Sequence, residues 1–185
     1  MRIISGKHKG KRITAPKKLP ARPTTDFAKE ALFNILNNNY YFNELSVLDL
    51  FAGIGSISFE FASRGVKSVI SVDQHYNSVK FIDNTAKELA LNIKAIKSDV
   101  FSYLEKVKLP HNIIFADPPY DFSKEQLSKI VTLVFENKLL LDEGLLIIEH
   151  SKHTDISDIP HFQYAKKYGG SMFSFFEINN DITDA

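Results

Sequence analysis

The sequence predicts an α/β domain built on a mainly parallel sheet, and three observations predict it. From residue 46 onward, short apolar runs alternate with stretches of helical spacing. The runs Ser46-Val47-Leu48-Asp49-Leu50, Asn112-Ile113-Ile114-Phe115-Ala116 and Leu145-Leu146-Ile147-Ile148-Glu149 are apolar almost throughout, not at every second position. That is the pattern of strands covered on both faces. Finally, the loops richest in glycine and proline follow directly on such runs, and parallel sheets bind ligands at the carboxyl ends of their strands.

Each element follows from local chemistry. Residues 1–14 alternate loosely around Gly6 and Gly10 and read as a small hairpin. Pro16, Pro20 and Pro23 mark an extended connector, because proline fixes φ and holds its predecessor out of the helical region. Thr24-Thr25-Asp26 offers capping side chains, after which Phe27, Ala28, Ala31, Leu32, Ile35 and Leu36 recur at helical spacing. The first strand, residues 46–50, leads through a glycine loop into a helix near 56–64. The second strand is residues 68–72, and the helix after it carries Val79, Ile82, Ala86 and Leu89 on one stripe. Residues 93–97 and 112–116 are the third and fourth strands. A helix near 124–136 aligns Leu127, Ile130, Val131 and Val134, and residues 145–149 are the fifth strand. Residues 139–141 read as packing before an Asp142-Glu143-Gly144 turn. Two further β-like stretches, 162–168 and 172–178, flank Gly169-Gly170 as a terminal antiparallel pair, with Phe173, Phe175 and Phe176 filling both faces of the last strand.

Composition bounds the function. A chain of 185 residues, 44% hydrophobic and 24% charged, fits one globular domain. No run approaches the ~18 apolar residues that span a bilayer. The basic N-terminus lacks an apolar core of signal-peptide length, so a cytoplasmic protein is expected. The absence of cysteine removes disulfides, Cys-type zinc sites and thiol catalysis. The net charge of +1 hides an imbalance: of 23 Lys+Arg, eight (Arg2, Lys7, Lys9, Lys11, Arg12, Lys17, Lys18, Arg22) fall within residues 1–22, which hold no acid. That leaves 15 basic against 22 acidic residues in the rest, a net of −7. Such asymmetry suits a nucleic-acid contact attached to another machine, although charge alone serves a solvated tail equally well.

The loop Asp49-Leu50-Phe51-Ala52-Gly53-Ile54-Gly55-Ser56 ends a strand and opens a helix. Its two glycines allow a tight turn and a close approach of backbone to ligand. A dinucleotide fingerprint would place a third glycine at position 58, where Ser58 stands. Asp49 is a poor neighbour for a pyrophosphate and suits a cationic group such as an amine or a sulfonium-bearing amino acid. Asp73 follows the second strand 20 residues after Gly53, where it can accept from both hydroxyls of a ribose. Asp99, in Lys97-Ser98-Asp99-Val100, follows the third strand, near where an adenine would lie. The glycine pair alone is an ordinary strand-turn-helix junction. Three acids at successive strand ends favour a nucleoside site.

Asp117-Pro118-Pro119-Tyr120 follows the fourth strand. Two prolines remove two backbone donors and stiffen the loop, leaving carbonyls as fixed acceptors. An Asp and a Pro carbonyl can hold the two hydrogens of a planar exocyclic amine while a tyrosine stacks on the base. The lone pair of such an amine is delocalised into the ring, so accepting its protons aims the nitrogen and favours its rehybridisation. Asp-Pro-Pro also forms turns with no function; its place after a strand of this sheet argues for one.

With both loops on view, the sequence resembles the class I S-adenosylmethionine-dependent amino-methyltransferases, and over nearly its whole length the bacterial 16S rRNA guanine-N2 methyltransferase family. The resemblance runs from Arg2-Ile3-Ile4-Ser5-Gly6 and Gly10-Lys11-Arg12 through Arg22-Pro23-Thr24-Thr25-Asp26 and Glu30-Ala31-Leu32-Phe33-Asn34-Ile35-Leu36. It continues through residues 49–56, Ser63-Arg64-Gly65 and residues 112–120, and ends with residues 144–150 and Tyr168-Gly169-Gly170. Asp-Pro-Pro-Tyr is shared with DNA adenine methyltransferases; the Arg22-Pro23-Thr24 segment and its helix narrow the choice.

The resemblance implies a Rossmann-like class I methyltransferase fold. Its sheet would be mainly parallel and seven-stranded with a terminal antiparallel strand, plus a small basic N-terminal hairpin extension. Residues 1–23 would be the RNA-contacting extension and 24–185 the methyltransferase domain. S-adenosyl-L-methionine, released as S-adenosyl-L-homocysteine, would lie with its methionine moiety on Asp49, Phe51, Ala52, Gly53 and Gly55. Asp73 would take its ribose, and Asp99 with Ser98 and Val100 its adenine. Asp117, Pro118, Pro119 and Tyr120 would be catalytic. Arg2, Lys9, Lys11, Arg12, Arg22 and Thr24 would meet RNA. The implied partner is 16S rRNA in an assembled or assembling small ribosomal subunit, met by a cytoplasmic monomer with neither metal nor membrane. Phe27 and Lys29 stand where the family has arginines, and Ser58 and Phe61 where it has small or aliphatic residues. The rival expectations are transfer to adenine N6 or cytosine N4 of DNA or RNA, and a catalytically silent RNA-binding protein of the same fold. His150 and His153, with no acid or thiol nearby in sequence, read as loop residues and not as metal ligands.

Overall fold

The structure is a computed structural model that describes residues 1–16, 19 and 24–178. Five strands lie parallel: β1 (Ser46–Leu50), β2 (Ser68–Asp73), β3 (Ile93–Lys97), β4 (His111–Ala116) and β5 (Leu140–Ser151). β7 (Ser171–Glu177) pairs antiparallel with β5, and β6 (Phe162–Tyr168) pairs antiparallel with β7, giving the order β3-β2-β1-β4-β5-β7-β6. The order reverses between β1 and β4, so the chain leaves these neighbours in opposite directions and opens a crevice at their carboxyl ends.

The continuous apolar strands serve two cores. Val47, Ile113, Phe115, Leu145 and Ile147 face a layer made by α1 (Asp26–Asn39), α2 (Ser56–Ser63) and α3 (Tyr76–Glu88). Their neighbours Leu48, Leu50, Ile114, Leu146 and Ile148 face α4 (Val100–Lys106) and α5 (Lys124–Glu136). Helix α4 was not anticipated. It is seven residues long and buries only Val100 and Leu104, too little for a helical stripe in sequence. Residues 140 and 141 also belong to β5 and not to a pre-turn segment: Leu140 pairs with His111, and the register shifts before Leu145 pairs with Ile113. Glu143, in the left-handed region at φ 60°, lies within that irregular stretch.

The N-terminal residues form the expected hairpin, bridged at Arg2 and Arg12, with Ile3 N–H donating to the Lys11 carbonyl at 3.0 Å. The hairpin is packed against the sheet domain, since Ile3 and Ile13 are buried in the core of α1–α3. Glu60 on α2, fully buried, accepts from the backbone N–H groups of Ile4 at 2.8 Å and Ser5 at 3.0 Å. Lys29 Nζ donates to the Arg2 carbonyl and lies 3.8 Å from Glu60. Burial pushes the Lys29 ammonium below its ordinary range, opposed by Glu60 and Asp26. Lys29 is thus a strut inside the fold, whereas Phe27 is exposed and meets the edge of Tyr168.

Candidate active site

The glycine loop is wound by three residues of positive φ: Phe51 (59°), Gly53 (54°) and Gly55 (77°). Gly55 opens α2, and a Cβ there would stand 2.9 Å from Ile82 and Phe59, so the helix can lie this close to α3 only with glycine. Gly53 N–H donates to Asp73 Oδ2 and His75 N–H to Asp73 Oδ1, both at 2.8 Å, which fixes the plane of the carboxylate at the end of β2. Asp49 is buried at the end of β1, and its Oδ2 accepts from both the N–H and the hydroxyl of Ser58. Ser58, the residue that breaks the dinucleotide fingerprint, is therefore the tether of Asp49. Burial pushes the Asp49 carboxyl up to about 7, with Asp73 adding to the shift and the Ser58 bonds opposing it.

The Asp-Pro-Pro-Tyr loop starts where Asp117 N–H donates to the Leu50 carbonyl at 3.3 Å, tying it to β1. Phe122 N–H donates to the Pro119 carbonyl at 3.0 Å and turns the chain back. Phe122 then meets Phe51 edge-on at 5.5 Å and lies parallel to Phe101. The Tyr120 hydroxyl is 2.8 Å from Ser171 Oγ, whose own hydrogen goes to Glu149 Oε1 at 2.6 Å. With that hydrogen committed, Tyr120 donates to Ser171 and Ser171 to Glu149.

These loops face one cavity of about 570 Å³, within the size range of small-molecule and cofactor sites. Of the sequence-predicted residues it is lined by Thr24, Asp49, Phe51, Ala52, Gly53, Asp73, Asp99, Val100, Asp117, Pro118, Pro119 and Tyr120. Gly55 and Ser98 stand behind this lining. Ser98 N–H donates to the Asp73 carbonyl at 3.0 Å, and Asp99 caps α4 through Ser102 N–H at 2.9 Å. Thr25, in the segment 22–25 that the resemblance puts at the border of the active site, also lines the cavity, while sequence reasoning missed Gln74, His75, Phe101, Phe122, Gln126, Glu149 and Ser171. Gln74 and His75 directly follow β2, so the strand-end rule that found Asp73 reaches them too. Glu149 and Ser171 carry no local signal, because the β5–β7 pairing brings them together across 22 residues.

The described basic residues of the N-terminal segment lie apart from this lining. Arg2 and Arg12 line a second, shallower cavity with Asp26, and Ile54 borders both cavities. Arg2 pairs with Asp26 at 3.1 Å and Lys11 with Glu88 at 3.6 Å, while Lys9 and Arg12 are exposed. Arg22, Lys17 and Lys18 lie outside the described residues. His150 is buried between Ser174 Oγ at 2.8 Å and the Ser151 carbonyl at 2.9 Å.

A parallel sheet reversing between β1 and β4, an antiparallel β7, a glycine loop with acids at three strand ends and a facing Asp-Pro-Pro-Tyr loop define a class I S-adenosylmethionine-dependent methyltransferase. The family described as "Conserved hypothetical protein 95" matches residues 1–177, and the chain belongs to that family. It is 33% identical over 162 residues to the ribosomal RNA small subunit methyltransferase D of Escherichia coli K12, covering 86% of this chain and 79% of the relative. It is 32% identical over 163 residues to YlbH of Bacillus subtilis, named for rRNA methylation, covering 85% and 86%. Among solved structures, yhhF of Escherichia coli superposes with a TM-score of 0.81 at 27% identity, covering 95% of this chain and 96% of that one. A Thermus thermophilus 16S rRNA N2 G1207 methyltransferase, in complex with AdoMet and guanosine, shares the fold at a TM-score of 0.67 and 20% identity, over 86% of this chain and 45% of that one.

Proposed function

We propose that the protein transfers a methyl group from S-adenosyl-L-methionine to the exocyclic N2 of a guanine in 16S rRNA, acting as a cytoplasmic monomer on an assembled or assembling small ribosomal subunit. The observation that carries this reading is the sharing of one cavity by the glycine loop and the Asp-Pro-Pro-Tyr loop. The names of the relatives, which specify ribosomal RNA of the small subunit, support the substrate. No helix among the described residues is long and apolar enough to cross a membrane. No group of three or more His, Asp or Glu among them is placed to hold a metal.

The donor set fits the cofactor. Asp49 is held by Ser58 at the end of β1 and suits an ammonium; Asp73, its plane fixed by Gly53 and His75, suits a ribose diol. Val100, Phe101 and Asp99 offer an apolar wall and an acceptor for the adenine. Bound there, S-adenosylmethionine supplies an electrophilic methyl on a sulfonium and leaves as S-adenosylhomocysteine. Asp117 and the Pro118 carbonyl accept from the base amine and aim its nitrogen, Tyr120 stacks on the base, and Asp117 or water takes the released proton. Two preorganised acceptors in such a site can lower the barrier by several kcal/mol. The target base is unpaired or turned out of its helix, since a stacked base cannot enter such a cavity.

The test is transfer of labelled methyl to unmodified small subunits, followed by mass spectrometry of the nucleosides. N2-methylguanosine is expected. N6-methyladenosine or N4-methylcytidine would replace guanine as the substrate, and no binding of S-adenosylmethionine would leave a silent RNA-binding protein. Protein-free 16S rRNA methylated as fast as the particle would remove the ribosomal-subunit requirement.

A further inference from the structure

We propose that Glu149 reads the edge of the target base by accepting a hydrogen bond from guanine N1–H, and so selects guanine over the other amino-bearing bases; this inference rests on the guanine-N2 reading above. Ala116, the last residue of β4, pairs with Ile148 of β5, so Asp117 follows the end of β4 next to the register position of Glu149, two residues before β5 ends. Paired strands run about 5 Å apart. Both residues line the cavity, and Glu149 is only 3% exposed. Its carboxylate accepts from the hydroxyls of Ser171 at 2.6 Å and Thr24 at 3.4 Å, and Ser171 in turn accepts from Tyr120 at 2.8 Å. The ring meant to stack on the base and the carboxylate at its rim are therefore one rigid unit.

In their carboxylate form Asp117 and Glu149, like the Pro118 carbonyl, have no hydrogen to donate. Guanine presents N1–H beside its exocyclic amine, a row of adjacent donors that matches adjacent acceptors. Adenine and cytosine present a ring-nitrogen lone pair beside theirs, and that lone pair would face a carboxylate. A site built to receive a donor rejects a base lacking it more strongly than pocket shape alone can.

The experiment uses the full-length protein and small subunits reconstituted with ligated 16S rRNA. The target position carries either guanine or 2-aminopurine, which keeps the 2-amino group but has a lone pair at N1. The wild type should favour guanine in kcat/KM by roughly 10²-fold or more. Glu149→Gln keeps an acceptor for Ser171 and gains an N–H₂ that can donate to the 2-aminopurine N1. It should lose roughly 10- to 100-fold on guanine and narrow the guanine-to-2-aminopurine ratio by at least about tenfold, with S-adenosylmethionine affinity unchanged by calorimetry. A residue that merely positions Tyr120 would slow both substrates alike, so an unchanged ratio, or equal loss of both, overturns the inference. Failure of the wild type to methylate the guanine subunit overturns the guanine-N2 reading instead.

Discussion

Asp49 sits where burial and binding pull in opposite directions. Its carboxyl is raised from 3.8 to about 7 by burial, yet an ammonium ligand requires the ionised form. Below about pH 7 the protonated form dominates, so S-adenosylmethionine affinity should fall by up to roughly tenfold per pH unit as pH drops, and calorimetry across that range reads it directly. Asp49→Asn should bind weakly and flatten this profile. The stability consequence has the opposite sense. A raised folded-state value contributes stability below the unfolded value and loses it as pH rises through the folded one. In the ligand-free protein, thermal melts of Asp49→Asn should therefore exceed those of the wild type above about pH 7, with the advantage vanishing toward pH 3.8. Asp117 should behave differently, because the proposed function gives it the base and not the cofactor. Asp117→Ala should leave S-adenosylmethionine affinity nearly unchanged and lower kcat by about 10²-fold or more, as when one preorganised group is removed from a site. Near-normal turnover would remove it from the chemistry.

At the scale of elements, the hairpin and α2 form a joint centred on the buried Glu60. Glu60 receives the Ile4 and Ser5 amides and the Arg64 guanidinium, and it faces the buried Lys29. Glu60→Ala would leave two amides without their acceptor and Lys29 without its nearest carboxylate. The expected loss is about 3–5 kcal/mol in urea unfolding, the cost of breaking a buried pair from one side. Gly6→Ala attacks the same joint sterically. Its φ is +81° and a Cβ would fall on the Ser63 carbonyl, so early proteolysis within residues 1–14 should follow. These same elements show what the sequence could reveal. β1, β4 and β5 were legible because burial on both faces leaves an apolar run, and Asp49, Asp73 and Asp117 because each ends such a run. The Glu149 network was not legible. Thr24 and Glu149 are 125 residues apart, and only the sheet order places β5 and β7 beside the Tyr120 loop. The role of Ser58 was hidden for a smaller reason: a serine in a helix carries no mark of where its hydroxyl turns, and here it turns to Asp49.

For the whole molecule, the charge split of +8 on residues 1–22 against −7 on the rest needs a test that leaves the fold standing. Removing residues 1–14 would strip Ile3 and Ile13 from the core and Ile4 and Ser5 from Glu60, so it would report on folding as much as on RNA. Side-chain neutralisation avoids this. Lys9 and Arg12 are exposed, and Lys11 meets Glu88 in a surface pair of little energetic weight. Each phosphate contact releases counterions and contributes roughly 0.7–0.9 to the slope of log affinity against log salt. The triple replacement of Lys9, Lys11 and Arg12 by alanine should therefore lower the magnitude of that slope by roughly 2 to 3 for small subunits, with the melting temperature near that of the wild type. The path is short, since Ile54 borders both the cavity lined by Arg2 and Arg12 and the active-site cavity. RNA held on the hairpin would then enter past Ile54, and weaker binding should appear in KM while kcat, set by Asp117 and its neighbours, stays close to the wild-type value. An unchanged slope in a folded variant would move the RNA surface to another face and leave these basic side chains merely solvated.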